Sequence, residues 1–323
     1  MEDLKNYEVM SVQEKWNMLA MVANLYYNSD MTQNQIAERL YTSRSKISRM
    51  LKEARELGIV EIYIREPWER NLEYEQKIQE TFHLKNIRVI KQKDKDNIKS
   101  LIYEAAAYYL DSIIKENMIV GISWGNTLYN VVKHIAANNH KNIPITVVPI
   151  MGAANINSPE KDGLDLSKDL ASAYGGKYQY IYAPLFVRQK EVRESLIQDN
   201  NIKSVLDLSK NADLILTSVG SIVYKSWSNY LSSRTLETLE KKGVAGHIGG
   251  HFFDIQGQEP KTSLAGRMIG IDTEDFKKCQ ETICIALGDK KSGAVLGAIR
   301  GGYIKTLIID DKCAENLLKY MEQ

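Results

Sequence analysis

Two passages of this 323-residue chain carry residue types and spacings that could do chemistry. The first is Met118-Ile-Val-Gly-Ile-Ser-Trp-Gly-Asn-Thr-Leu-Tyr129. As Gly121-x-Ser123-x-Gly125 it matches the nucleophile elbow of α/β-hydrolases. As a strand entering a Gly-, Ser- and Thr-bearing loop at a helix start, it is an anion cradle. Backbone N–H groups, the helix dipole and the hydroxyls of Ser123 and Thr127 would then face a phosphate. A plain structural turn is the third reading. The elbow needs an acid and a histidine downstream, and Asp213 with His247 satisfies that on chain order alone. It also needs an oxyanion segment of the His-Gly-Gly-Gly type ahead of the serine, and nothing upstream supplies one.

The second passage runs from Asp30 to Leu51. Thr32 with Gln35 three residues on is a capping box, so a helix starts there. Ile36, Ala37 and Leu40 form its inner face, and small Ala37 permits close approach of a second helix. A tight turn through Tyr41-Thr42 follows, and Ser43 or Thr42 caps the next helix. There Ile47, Met50, Leu51 and Ala54 point inward at i, i+3, i+4, i+7. That leaves Arg44, Ser45, Lys46, Ser48 and Arg49 outward. Residues 42–52 contain Arg44, Lys46, Arg49 and Lys52 and no acid, a local +4. Such a helix supplies cations for phosphates and Arg or Lys for guanine edges in a major groove. The bland alternative, a helical hairpin with a solvated basic face, explains neither the short turn nor the Ser/Arg/Lys clustering.

Weaker candidates follow. His247 and His251 stand four apart like a helical metal pair, but Gly249-Gly250 between them breaks a helix and no Glu occupies a general-base position. No metal is expected. Asp289-Lys-Lys-Ser-Gly puts Lys291 on a strand-to-helix loop, a place for an anion or merely a solvated charge run. Gly152, just after an apolar run, allows close backbone approach to a ligand or simply a tight turn. Cys284 lies in an apolar run and reads as core.

The elements that must position these residues are legible from periodicity. From Glu14 to Leu57 the apolar residues recur at helical spacing, and Gly58 stops the last helix. Val60, Ile62 and Ile64 then alternate with Glu61 and Tyr63, a strand that would make a wing. Pro67 opens a further helical stretch to about Phe82. Beyond it, β-rich runs around Ile87, Met118–Ile122, Ile145–Ile150, Leu214–Val219, Ile283–Leu287 and Ile304–Ile309 alternate with amphipathic segments 98–116, 126–138, 232–242 and 291–300. Alternating strands and helices of this length imply an α/β fold, doubly wound on a mostly parallel sheet, whose ligands bind beyond the carboxyl ends of the strands. The expected division is a winged helix-turn-helix over residues 1–65, a connector helix over 66–84, and an α/β domain over 85–323.

Composition sets the outer limits. The 42 Lys+Arg against 41 Asp+Glu give a net charge of +1, so a polyanion must be met by a local patch. The 44% hydrophobic and 26% charged residues are those of a globular protein. Three cysteines, Cys279, Cys284 and Cys313, show no CxxC spacing and suit a reducing cytoplasm. No apolar run approaches a membrane span, and the first residues do not read as a signal peptide. A cytoplasmic protein is expected.

Taken together, these passages resemble the SorC/DeoR-type bacterial transcriptional regulators. The likeness runs almost end to end. It covers Thr32-Gln-x-Gln-Ile-Ala-x-Arg-Leu…Ser43-Arg-x-Lys-Ile-Ser-Arg-Met-Leu, Gly121-Ile-Ser-Trp-Gly-Asn-Thr, Ala183-Pro-Leu, Gly246-His-Ile-Gly-Gly-His-Phe-Phe-Asp254 and Gly297-Ala-Ile-Arg-Gly-Gly-Tyr-Ile-Lys-Thr-Leu-Ile-Ile-Asp310. The resemblance implies an N-terminal winged helix-turn-helix and an effector domain similar in fold to sugar-phosphate isomerases and deaminases. It further implies a sugar, polyol or sugar-phosphate effector, palindromic operator DNA, and a homodimer or homotetramer.

Carried over residue by residue, Ser123, Trp124, Gly125, Asn126 and Thr127 would hold the phosphate or equivalent oxygens. Lys291 would pair with that anion, and Gly152 and His247 would complete the pocket. Many members have Asp where His247 stands, and a histidine there can donate, accept or carry charge. Met151 occupies a loop position with no lysine to form a Schiff base, so a reversible, non-covalent ligand is expected. Arg44, Ser45, Lys46, Ser48 and Arg49 would contact DNA. Two-fold assembly would space two such helices by ~34–36 Å or a multiple. No catalytic residue and no cofactor is expected. A sugar-phosphate isomerase or deaminase with secondary DNA binding is the alternative, although no general base paired with an acid is evident.

Overall fold

The computed structural model describes residues 7, 10–60, 68–92, 98–138, 142–154, 159–222, 227–228 and 230–320. The chain divides into two compact units, Met1–Pro67 and Trp68–Gln323.

In the first unit three helices, α1 (Val12–Tyr27), α2 (Gln33–Arg39) and α3 (Arg44–Glu56), enclose a small core. Each has a hydroxyl cap. Ser11 and Glu14 form a capping box on α1, as Thr32 and Gln35 do on α2, and the Ser43 side chain accepts from the Lys46 N–H. The inward stripes meet: Leu19 and Val22 of α1, Ile36 and Ala37 of α2, and Ile47, Met50, Leu51 and Ala54 of α3 are all buried. Gly58 ends α3 in the left-handed region at φ +71°. The N–H of Ile59 returns to the Ala54 carbonyl at 2.9 Å, the six-residue bond that closes such an end. The expected wing strand over Val60–Ile64 falls largely on residues 61–67, outside the described residues. Because a hydroxyl cap is worth ~1 kcal/mol, Ser43→Ala is expected to destabilise this unit by about that amount in chemical denaturation. The loss should fray the very turn that presents Arg44 and Ser45.

The second unit is laid out as α4 (Leu72–Phe82), β1 (Asn86–Ile90), α5 (Ile98–Ile113), β2 (Ile119–Ile122), α6 (Asn126–Asn138), β3 (Thr146–Pro149), α7 (Gly163–Ala173) and β4 (Lys177–Tyr178). There follow α8 (Lys190–Leu196), α9 (Asn200–Lys210), β5 (Leu214–Ser221), α10 (Ser233–Lys241), β6 (Val244–Ile248), β7 (His251–Asp254) and α11 (Thr273–Lys278). The chain closes with β8 (Glu281–Ala286), α12 (Ser292–Arg300), β9 (Thr306–Asp310) and α13 (Asp311–Lys319).

Seven strands run parallel in the order β1-β9-β8-β5-β2-β3-β4, and the β6–β7 hairpin adds antiparallel to the last residues of β5. Alternate residues face opposite layers. Leu214, Leu216, Ile283 and Ile285 share one core with α5, α6 and α7, while Ile215, Cys284 and Leu307 share the other with α4, α12 and α13. Parallel strands covered on both faces read as near-continuous apolar runs, which is why six of them stood out by pattern.

The hairpin did not. Gly246, Gly249 and Gly250 and two histidines interrupt its apolar rhythm, and its register comes from pairing Gly220 with His247 and Ser221 with Gly246. Nor does the segment after Pro67 form one long helix. The helix begins at Leu72, capped by Asn71, with Ile78 buried. Arg70 holds Glu75 by two bonds of 2.9 and 2.6 Å, and Glu75 also accepts from the Val89 N–H of β1 at 2.7 Å. That lattice fastens α4 to the sheet.

Candidate functional site

The carboxyl ends of β2, β5 and β8 point into one cavity of about 410 Å³. β2 turns into α6 through Ser123-Trp124-Gly125. Ser123 donates its N–H to the Leu216 carbonyl at 3.1 Å, extending the β2–β5 pairing, and its buried Oγ lies 3.0 Å from Thr217 Oγ1. Gly125 then takes φ +127°, open only to glycine at low cost, and donates to the Lys161 carbonyl at 3.0 Å. The chain is thereby aimed straight into α6, whose first N–H groups have no partner within the helix.

Of the residues expected to hold an effector, Ser123, Trp124, Gly125, Asn126, Thr127, His247 and Lys291 all line this cavity. Gly152 does not, and this corrects the expectation. A Cβ on Gly152 would lie 2.6 Å from the carbonyl oxygens of Ala183 and Pro184, and its N–H donates to Ile269. Its glycine serves close backbone packing behind the pocket, whereas neighbouring Met151 reaches the lining.

Sequence reasoning missed Lys99 and Tyr103 on α5, Ser218–Ser221 at the end of β5, and Trp227. The i, i+4 spacing of Lys99 and Tyr103 was the available signal for the first pair. For β5, the rule that ligands sit beyond strand ends would have sufficed.

Charge in the cavity is one-sided. Lys99 and Lys291 line it, and no carboxylate does among the described residues. Lys291 ends the short turn Asp289–Lys291 before α12, and no described residue forms a hydrogen bond or ion pair with its ammonium. Burial lowers its pKa, while the nearby Cys284, Cys313 and Asp310 act in the opposite sense. Burial and the adjacent Lys291 together push the His247 imidazole down to about 3, so it is neutral at ordinary pH.

The His247 ring stands edge-on to Trp227 at 4.9 Å, and its Nε2 lies so near Gly220 that a Cβ there would come within 2.1 Å. Trp124, Trp227 and Tyr230 complete an aromatic wall with ring centres 5.5–5.8 Å apart. Nitrogens of three of these rings, on Trp124, Trp227 and His247, are buried without a partner among the described residues.

A histidine held neutral when folded but protonated when unfolded makes stability rise with pH between the two pKa values. The contribution is complete above about 6.5 and is lost as pH falls toward 3. Denaturation midpoints of the free protein should therefore decline over that interval, and His247→Asn should flatten the decline. An unchanged profile in the variant would show that the imidazole is solvated.

The alternative chemistries separate cleanly. Asp213 sits at the start of β5, accepting from the Ile119 N–H at 2.8 Å, while Ser123 follows the far end of β2. Four strand residues, ~13 Å, divide acid from serine, so no Ser–His–Asp triad assembles. His247 pairs with Phe252 and His251 with Ile248 across the hairpin, which puts the two histidines on opposite faces. The His251 ring is spent on the Ile271 carbonyl (3.1 Å), Thr273 (3.0 Å) and Glu259 (3.2 Å). Cys284 is core, its thiol pushed up to about 12 by burial.

On α3, Arg44, Ser45, Ser48 and Arg49 are exposed on one side. Lys46 is only half-exposed and lies 5.7 Å from the centre of the Tyr7 ring, so its ammonium is not turned outward with the others. Lys52 pairs with Glu56 at 3.6 Å.

Comparison with known proteins gives the family. Residues 66–319 match the family model described as "Putative sugar-binding domain", and residues 19–61 match a winged helix-turn-helix DNA-binding model. The chain is 28% identical over 309 residues to the deoxyribonucleoside regulator of Bacillus subtilis, covering 94% of this chain and 98% of the relative. The same identity and coverage relate it to the sorbitol operon regulator of Klebsiella pneumoniae. The full-length crystal structure of that regulator, SorC, superposes with a TM-score of 0.73 over 94% of this chain and 98% of its own. The LsrR regulator of Escherichia coli is 25% identical over 307 residues, covering 93% of this chain and 94% of the relative. The chain therefore belongs to the SorC/DeoR-type family of sugar-responsive transcriptional regulators, a helix-turn-helix followed by a sugar-binding domain.

Proposed function

We infer that this protein regulates a carbohydrate or polyol operon, and that a phosphorylated sugar or sugar alcohol in the β2–β5–β8 cavity controls its binding to operator DNA. The observation that carries the phosphate is Lys291. A largely buried ammonium lining the same cavity as the α6 N-terminus, with no partner among the described residues, costs free energy that an anion would offset. The Ser123–Thr127 loop supplies hydroxyls and helix N–H groups for the same group. Arg44, Ser45, Ser48 and Arg49 would meet DNA, with Lys46 contributing less directly. A palindromic operator and a homodimer or homotetramer fit this reading. Effector binding would act by favouring one quaternary arrangement over another. We place the protein in the cytoplasm and assign it no enzymatic step. The isomerase or deaminase reading finds no general base among the described lining residues, where His247 is buried among aromatic rings and held neutral.

Matched pairs of aldoses and alditols, each with and without a phosphate ester, test the effector reading by thermal shift. A ligand at 100 times its Kd stabilises by ~2.7 kcal/mol. Stabilisation by a phosphorylated member and not its free counterpart is expected. Stabilisation by free sugars alone would overturn the phosphate assignment, and sustained turnover of any sugar phosphate would overturn the regulator-only reading.

A further inference from the structure

We propose that Tyr41 is a DNA-contacting residue of the helix-turn-helix, its phenolic hydroxyl donating to a backbone phosphate beside α3. The inference rests on the DNA-binding reading of α3 and starts from a conformational anomaly. Among the described residues four non-glycines have positive φ: Asp30, Tyr41, His83 and Asn117. Asp, Asn and His are the types enriched there, whereas a bulky tyrosine at φ +50° is an outlier.

Tyr41 fills the position that closes α2. Its N–H returns to the Glu38 carbonyl at 3.2 Å and that of Thr42 to Ala37 at 2.8 Å. Glycine is the residue suited to that place, and Gly58 occupies the equivalent place after α3. Nothing among the described residues compensates. The Tyr41 side chain is 81% exposed, and no described residue makes a hydrogen bond or ring contact with it. An exposed aromatic in a disfavoured backbone state is the signature of a side chain retained for what it touches outside the fold.

Its surroundings say what that is. Ser43, Arg44 and Ser45 follow it on the exposed surface, so the ring borders the cationic side of the helix. No cation is seated on the Tyr41 ring among the described residues, and its phenolic O–H is a good donor to phosphate oxygens, as tyrosines are along DNA backbones. Such a contact positions the helix and reads no sequence, so it adds to affinity for any duplex.

The test uses the full-length protein and a random-sequence 30-base-pair duplex, roughly three helical turns, by fluorescence anisotropy at about 50 mM salt. Tyr41→Phe and Tyr41→Gly are each expected to weaken binding about tenfold, the loss of one hydrogen bond to a charged group. Tyr41→Gly should also raise the melting temperature or leave it unchanged, because the turn is relieved. Arg49→Ala, measured alongside, reports on α3 itself. If Arg49→Ala weakens binding while either Tyr41 variant binds within about twofold of the parent protein, a difference of only ~0.4 kcal/mol, the proposal fails. A lower melting temperature in Tyr41→Gly would make the ring a packing element and also overturn it. If Arg49→Ala and the Tyr41 variants all bind like the parent, the reading of α3 falls, and this proposal with it.

Discussion

Replacing Lys291 by methionine is expected to reduce affinity for a phosphorylated effector by about 100-fold or more, while the free protein melts at the same temperature or higher. The two halves of this expectation share one cause. In the free protein the ammonium is largely buried, lowered in pKa, and without a hydrogen bond or ion pair among the described residues, so its charge is a cost. Methionine keeps much of the apolar stem and removes that cost. In the complex the same ammonium would make a charge-assisted bond to phosphate inside the cavity. Truncating one partner of such a pair costs ~2–5 kcal/mol.

Titration calorimetry at constant pH measures the first half and a thermal melt the second. The sign of the pH dependence follows. Bound phosphate favours the charged amine, so affinity should fall as pH rises through the lowered pKa of Lys291. Retained affinity in the variant would place the anion elsewhere, with Lys99 the remaining lysine of the cavity's described lining.

Loss of DNA binding is the second large effect. Arg44→Ala and Arg49→Ala are each expected to cost ~1–3 kcal/mol in affinity, and the double variant about 100-fold or more. Both guanidinium groups are exposed on the helix whose inner face is filled by Ile47, Met50 and Leu51, so their loss should leave the fold of the first unit intact. Each lost phosphate contact should lower the slope of log affinity against log salt by about one. Lys46→Ala is the internal contrast. Its ammonium lies against the Tyr7 ring, whose hydroxyl donates to Glu53 at 3.0 Å. A smaller change in DNA affinity accompanied by a small loss of stability is therefore expected. Equal effects for all three cations would mean that Lys46 swings outward on DNA.

The contrast between Lys46 and Arg49 shows how legibility divides along this chain. Both lie on the polar side of an amphipathic stripe, and periodicity treats them alike. What separates them is Tyr7, a residue 39 positions from Lys46 in the numbering, brought there by packing. Gly152 makes the same point in reverse. A glycine after a strand is compatible with a ligand or with a backbone neighbour, and only the approach of Ala183 and Pro184 selects the second. Lys99, Tyr103 and Trp227 entered the cavity unannounced because they come from elements distant in sequence.

Taken alone, the sequence determined the helical character of the first unit with the caps of α2 and α3, six of the seven parallel strands and their order along the chain, the cationic helix, and the loop from Ser123 to Thr127. These are local matters. Periodicity, hydroxyl caps and glycine act over one to four residues and need no distant partner. Tertiary structure alone decided which strand ends converge, that Asp213 and Ser123 lie at opposite ends of adjacent strands, that His247 is neutral, and that Lys291 faces a cavity without a carboxylate among its described lining. Strand order in a sheet, burial and proximity of charges depend on contacts between residues far apart in the chain. Desolvation and Coulomb interactions, which set the chemistry of the pocket, act through space rather than along the backbone.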